Sequence, residues 1–142
     1  MKQFFLLAIT LLISKVSSAT SAVNYNERLK EALPGFEMPS QWLQTHPAFR
    51  VIGNLYGVGG VDLASYLITS DDGHILINTG IEGSLKDIEK NIATLGFDIA
   101  DVKILLSMQS HFDHTADLAL IREITGAKMY ATKKDALSLI HI

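Results

Sequence analysis

The sequence predicts an α/β fold, and three observations carry that prediction. Apolar runs separated by turn residues fill positions 49–78, which reads as a set of hairpin-linked strands. A helical repeat at 84–96 then separates the apolar run 74–78 from the run 102–106, giving a strand–helix–strand unit whose crossover should be right-handed. Directly after the second of those strands comes a dense group of polar donor side chains, at the strand end where ligands sit in parallel α/β sheets.

Each element has its own local reason. Residues 20–48 are polar, with Pro34, Pro39 and Pro47 as breakers, and a short helix over 27–33 ends at Pro34-Gly35. This segment is expected to wrap the body of the domain, anchored by Trp42 in the core; lining a substrate pocket is the other role open to Trp42. Strands are expected at 49–52, 55–58, 64–69 and 74–78. Gly53-Asn54 makes one turn and Asp71-Asp72-Gly73 the next, with Gly73 suited to positive φ. Because these runs are almost continuously apolar, both faces of the sheet are expected to be buried. Positions 79–84 break the pattern. Ser84 is a candidate N-cap with Asp87 completing a capping box, Leu85, Ile88, Ile92 and Leu95 share one helix face, and Gly96 closes the helix. After the strand 102–106, a helix is expected over 118–124 with Gly126 as its C′ residue, then a strand over 128–131.

Composition narrows the function. A chain of 142 residues fits one domain or part of a larger one, and 48% hydrophobic with 19% charged residues is ordinary for a folded protein. The net charge of −3, without a basic stripe, argues against a nucleic-acid partner. The absence of cysteine excludes a disulfide framework, a cysteine zinc finger and a cysteine nucleophile. At the N-terminus, Lys2, an apolar run over 4–13 and the small residues Ser17-Ser18-Ala19 form a secretory signal peptide, residues 1–19, with Ala22 as a second candidate cleavage point. Ser14 and Lys15 end the apolar run short of the roughly 20 residues a membrane span needs. Cleavage removes Lys2 and Lys15, taking the charge from −3 to −5. The mature domain, 20–142, is expected in the periplasm.

The donor group is Gln109-Ser110-His111-Phe112-Asp113-His114. Imidazole nitrogen and carboxylate oxygen are the ligand types that hold zinc, and a turn after a strand lets neighbouring side chains converge. A single histidine here would read as a core residue, and Asp113 alone as a turn or cap residue. Four donor side chains in six positions point instead to a metal site. Ser65 and Tyr66 could be taken for a nucleophile and an acid, but no Ser-x-x-Lys accompanies them and they read as strand residues.

The stretch 109–115 resembles the H-x-H-x-D-H motif of the metallo-β-lactamase superfamily, with glutamine in the first place. Upstream, Gly53-Asn54-Leu55-Tyr56, Asp62-Leu63-Ala64-Ser65-Tyr66-Leu67-Ile68 and Ile75-Leu76-Ile77-Asn78-Thr79-Gly80 are similar to subclass B3 of that family, and Gln109 to its GOB-type branch, over roughly residues 39–135. The resemblance implies the N-terminal half of the αβ/βα sandwich and a Zn2+ centre. Gln109 and His111 match ligands of a first site, and Asp113 and His114 match ligands of a second. An amide oxygen is a poorer zinc donor than imidazole, so one zinc held mainly by Asp113 and His114 is expected to be the relevant ion. Zinc lowers the pKa of bound water to about 7, which suits hydrolysis of a β-lactam ring amide, with Asp113 orienting the water as the catalytic residue. Antibiotic resistance would follow, from a monomer acting on a small molecule with no membrane partner. The family's remaining histidine ligands lie further downstream. His141, in the run 137–142, does not resemble them, so the chain is expected to be truncated at its C-terminus, or read out of frame there, and inactive by itself. The alternatives are another hydrolase of the family, such as a lactonase, or a non-catalytic fragment, folded or not, that binds zinc weakly or not at all.

Overall fold

The computed structural model describes residues 25–139. The region expected to be a signal peptide, 1–19, and His141 lie outside those residues. Within them, helix α1 (Tyr25–Ala32) and a 3-10 turn at Ser40–Leu43 precede six strands in one sheet. The strands are β1 (Phe49–Ile52), β2 (Leu55–Gly57), β3 (Tyr66–Ile68), β4 (His74–Ile77), β5 (Val102–Leu106) and β6 (Lys128–Tyr130), and they lie in the sheet in chain order. β1 to β4 form an antiparallel meander; β5 and β6 add on parallel to β4. Helix α2 (Leu85–Thr94) links β4 to β5, and α3 (Phe112–Thr115) with α4 (Leu118–Thr125) links β5 to β6.

The expected elements are present with small shifts at their ends. Gly73 takes φ 117° in the β3–β4 turn, where Ser70 Oγ donates to the Gly73 carbonyl at 2.6 Å. Gly126 caps α4 in the left-handed conformation at φ 67°. Helix α5 (Lys133–Leu139) was not expected from the periodicity, although its start carries a legible signal. The Thr132 hydroxyl accepts the Asp135 N–H at 3.2 Å and donates to Asp135 Oδ2 at 2.5 Å, a threonine-first capping arrangement.

The core lies between one face of the sheet and the helices. Val58, Leu67, Leu76, Val102 and Leu105 meet Ile88 and Ile92 of α2 and Leu118 and Ile121 of α4, all nearly inaccessible. The opposite face is different. The cross-strand row Tyr66, Ile77, Leu106, Tyr130 lies there, and so does Ile68, Ile75, Ile104, Lys128. Leu106 is 36% exposed and Tyr130 52%. Among the described residues this face is therefore only partly covered, where burial of both faces was expected. Successive crossovers of one hand, stepping in one direction from β4 to β5 to β6, carry α2 and α4 to the same side.

A second correction concerns α2. Ser84 occupies the N-cap position but has helical dihedrals and makes no side-chain cap bond. The cap comes from α4's entry instead, where Asp117 accepts Gly83 N–H at 3.2 Å and Leu85 N–H at 2.7 Å. A carboxylate at a helix N-terminus also meets the positive end of the helix dipole.

Candidate functional site

The parallel arrangement of β4, β5 and β6 brings their C-terminal ends together, so the segments 78–80, 107–116 and 131–132 share one edge of the sheet. The donor group occupies this edge. Ser107 starts the excursion: it is buried, its N–H donates to the Tyr130 carbonyl at 3.0 Å, and its hydroxyl donates to the Gln109 carbonyl at 2.7 Å. His111 follows as the N-cap of α3, with extended dihedrals. Its carbonyl accepts both His114 N–H and the Thr115 hydroxyl at 3.0 Å, which winds residues 112–115 into a single helical turn.

That turn sorts the four expected donors into two pairs. The Gln109 side-chain amide is in direct contact with His111 Nδ1. His114 Nε2 lies 3.5 Å from Asp113 Oδ2, both side chains half-buried. Turning over the Gln109 amide puts its oxygen, the atom able to ligate a cation, where the nitrogen stands. The donor set therefore suits a zinc ion in kind, with two adjacent donors from each pair. Among the described residues, no group of three or more histidine and acidic side chains is arranged to hold a metal ion. The described residues supply two partial donor sets and no complete one.

Three further residues shape this edge. Trp42 is half-buried with its ring centroid 6.1 Å from that of Phe112, so it packs against the donor turn from the N-terminal segment and is not a deep core anchor. Asp135, at the start of α5, has its carboxyl held below the ordinary carboxylate range, first by the Thr132 hydroxyl and then by Ser110 and His111. Asp117, only 4% exposed, has its carboxyl pushed above that range by burial, with Glu82 adding to it against the pull of the Leu85, Gly83 and Ser84 N–H groups. Neither aspartate stood out in the sequence as part of the site. Asp117 in particular has no local signal, because its partners are more than thirty residues away.

Ser65 is 1% exposed and its hydroxyl has no hydrogen-bond partner, which is consistent with a strand-edge residue and not with a nucleophile. A groove of about 680 Å3 lies at the other end of the sheet, around Asp71, His74, Phe97 and Lys103, away from all four donors.

A family model described as the metallo-beta-lactamase superfamily matches residues 58–141, more than half of the chain. The crystal structure of the metallo-beta-lactamase GOB-18 from Elizabethkingia meningoseptica is 51% identical, with a TM-score of 0.69 over 70% of this chain and 37% of that one. The class B3 di-zinc metallo-beta-lactamase LRA-12 from an Alaskan soil metagenome is 45% identical, with a TM-score of 0.70 over 72% and 39%. FEZ-1 from Legionella gormanii is 47% identical, with a TM-score of 0.61 over 66% and 34%. The chain thus spans little more than a third of the length of the solved structures it matches.

Proposed function

Because the chain belongs to the metallo-beta-lactamase superfamily, with subclass B3 enzymes as its structural neighbours, we propose that it supplies half of the active site of an exported zinc-dependent β-lactam hydrolase. The observation that carries this reading is the pairing of Gln109 with His111 and of Asp113 with His114 on one turn at the C-terminal edge of a parallel sheet. Hydrolysis is proposed for a full-length enzyme containing this segment, since the segment covers about a third of its structural neighbours.

In this reading Asp113 and His114 hold one zinc ion, and Gln109 with His111 form a weaker position, because an amide oxygen is neutral. When bound, zinc supplies Lewis acidity that activates water near neutral pH and offsets negative charge developing on the β-lactam. Asp113 would also orient the attacking water and accept its proton. His111 is exposed at the N-cap of α3, and Trp42 packs against Phe112 of the same turn; these side chains would contact a β-lactam held at the donors. The signal peptide directs the protein to the periplasm, where such a hydrolase would act as a monomer and confer resistance to β-lactam antibiotics.

Two measurements test the proposal. Calorimetric titration of the chain with zinc should show binding that Asp113→Ala and His114→Ala each abolish. In the full-length enzyme, loss of imipenem absorbance should depend on zinc and fall by roughly a thousandfold or more in Asp113→Ala, the scale of removing a group that serves in the chemical step. Turnover of an acyl-homoserine lactone with no turnover of imipenem would replace the β-lactamase reading by a lactonase one.

A further inference from the structure

The turn that follows β4 contacts the donor segment at both of its ends. Asn78 continues the parallel ladder by donating its N–H to the Leu106 carbonyl at 2.9 Å, and its Oδ1 accepts Met108 N–H at 3.1 Å. Thr79, the next residue, then skips the intervening residues. Its N–H donates to the His114 carbonyl at 2.8 Å, and its hydroxyl donates to the same oxygen at 3.2 Å. The Gly80 carbonyl accepts Ala116 N–H at 3.3 Å. Residues 109–113 therefore form an excursion whose two ends are held by adjacent residues of a single turn. Gln109, His111 and Asp113 lie on the excursion, and His114 stands at its return.

Thr79 is 1% exposed, and among the described residues its hydroxyl has no partner other than the His114 carbonyl. The turn is conformationally committed as well. Asn78 adopts φ 58°, the one positive value among the described non-glycine residues, and a Cβ at Gly80 (φ 68°) would come within 2.5 Å of Ser84 Oγ. A carbonyl that takes two donors from one buried residue is fixed in both position and direction. The Cα–Cβ bond of His114 is set by that same peptide unit.

We infer that Thr79 is a positioning residue for His114, holding its main chain from the neighbouring strand end so that the imidazole stays beside the Asp113 carboxylate. The inference rests on the reading of His114 as a zinc ligand and adds a residue that acts on the metal only through it. Groups that orient a ligand without touching the metal change its affinity by roughly 10–100-fold when removed. Thr79→Val keeps the shape and removes the hydroxyl; Thr79→Ser restores it. Thr125→Val is the control, because Thr125 also bonds main chain (its hydroxyl to the Ile121 carbonyl at 2.7 Å) but within its own helix, at the C-terminal end of α4.

The test uses the chain with Co2+ as a spectroscopic stand-in for zinc, alongside the thermal midpoint and the His114 ring resonances in the metal-free state. Thr79→Val should bind Co2+ about tenfold more weakly, Thr79→Ser should lie within about threefold of the parent, and Thr125→Val should lower the midpoint without changing Co2+ affinity. Unchanged affinity in Thr79→Val overturns the inference, as does a serine variant as weak as the valine one or an equal loss in Thr125→Val. Thr79→Ala takes the place of the valine variant should the latter not fold. If the parent chain takes up no Co2+, the zinc reading of the chain fails separately. The metal-free resonances then decide: His114 ring signals that move in Thr79→Val and not in Thr125→Val support positioning, and signals that stay in place refute it.

Discussion

Asp117 Oδ2 accepts the Leu85 N–H at 2.7 Å, so a carboxylate at the entry to α4 caps the start of α2 from thirty-two residues away. The same side chain takes Gly83 N–H through Oδ1, and it does so while 4% exposed. One residue thus joins the two helices of the core layer and anchors the chain just past the donor turn. Replacing Asp117 by Ala leaves two N–H groups without their acceptor. The variant should lose about 2–4 kcal/mol in urea unfolding, the sum of a lost cap and a buried unsatisfied donor. A loss under about 0.5 kcal/mol would mean that water replaces the carboxylate without penalty.

The pH dependence of that contact has a defined sign. Burial raises the Asp117 carboxyl above its ordinary value of 3.8 in the folded state. Below 3.8 the group is protonated folded and unfolded alike; as pH rises, the unfolded chain releases its proton first and gains on the folded one. This contribution to stability is therefore full below the unfolded value and is lost as pH rises through the folded one. Stability of the parent minus that of Asp117→Asn should fall between pH 3 and neutrality and then level off. A difference that grows with pH over that window would contradict the burial of the charge.

Asn78 combines a left-handed backbone with a side-chain bond to Met108 N–H. Asn78→Gly removes the bond and relieves the backbone, whereas Asn78→Ala removes the bond and keeps the strain. Alanine should therefore be the more destabilising of the two, by roughly 1 kcal/mol in chemical denaturation. Equal losses would show that the positive φ costs nothing here.

The two faces of the sheet should respond differently to truncation. Ile92 is inaccessible between α2 and the sheet, and Ile92→Ala should cost about 2–5 kcal/mol. Leu106, 36% exposed on the other face, should cost under about 1.5 kcal/mol as Leu106→Ala. Comparable losses at the two positions would mean that something covers the outer face in solution.

Much of this molecule was legible because its signals are local. The Asp71-Asp72-Gly73 turn, the 3.6-residue repeat of Leu85, Ile88 and Ile92, and Gly126 after α4 each act within a few residues, and the structure has β3–β4, α2 and the α4 cap where they point. The donor cluster was legible for the same reason, since Gln109, His111, Asp113 and His114 all fall on one turn. Thr132 and Asp135 carried a comparable local signal for α5 that periodicity alone did not reveal.

What depended on contacts between distant segments could not be read in this way. Burial of both sheet faces was inferred from apolar strands, but the side on which helices land is set by the direction of the β4–β5–β6 crossovers. Ser84 looked like the cap of α2, and Asp117 does that work because α4 enters beside it. Thr79 looked like an interruption between strand and helix. Only the parallel pairing of β4 with β5 places it under His114, where its N–H and hydroxyl share one carbonyl. The sequence by itself determined the elements and the chemistry of the donor turn, because propensity, capping and ligand type reside in neighbouring residues. The tertiary structure alone decided what holds that turn in place, because those hydrogen bonds join chain segments about thirty-five residues apart.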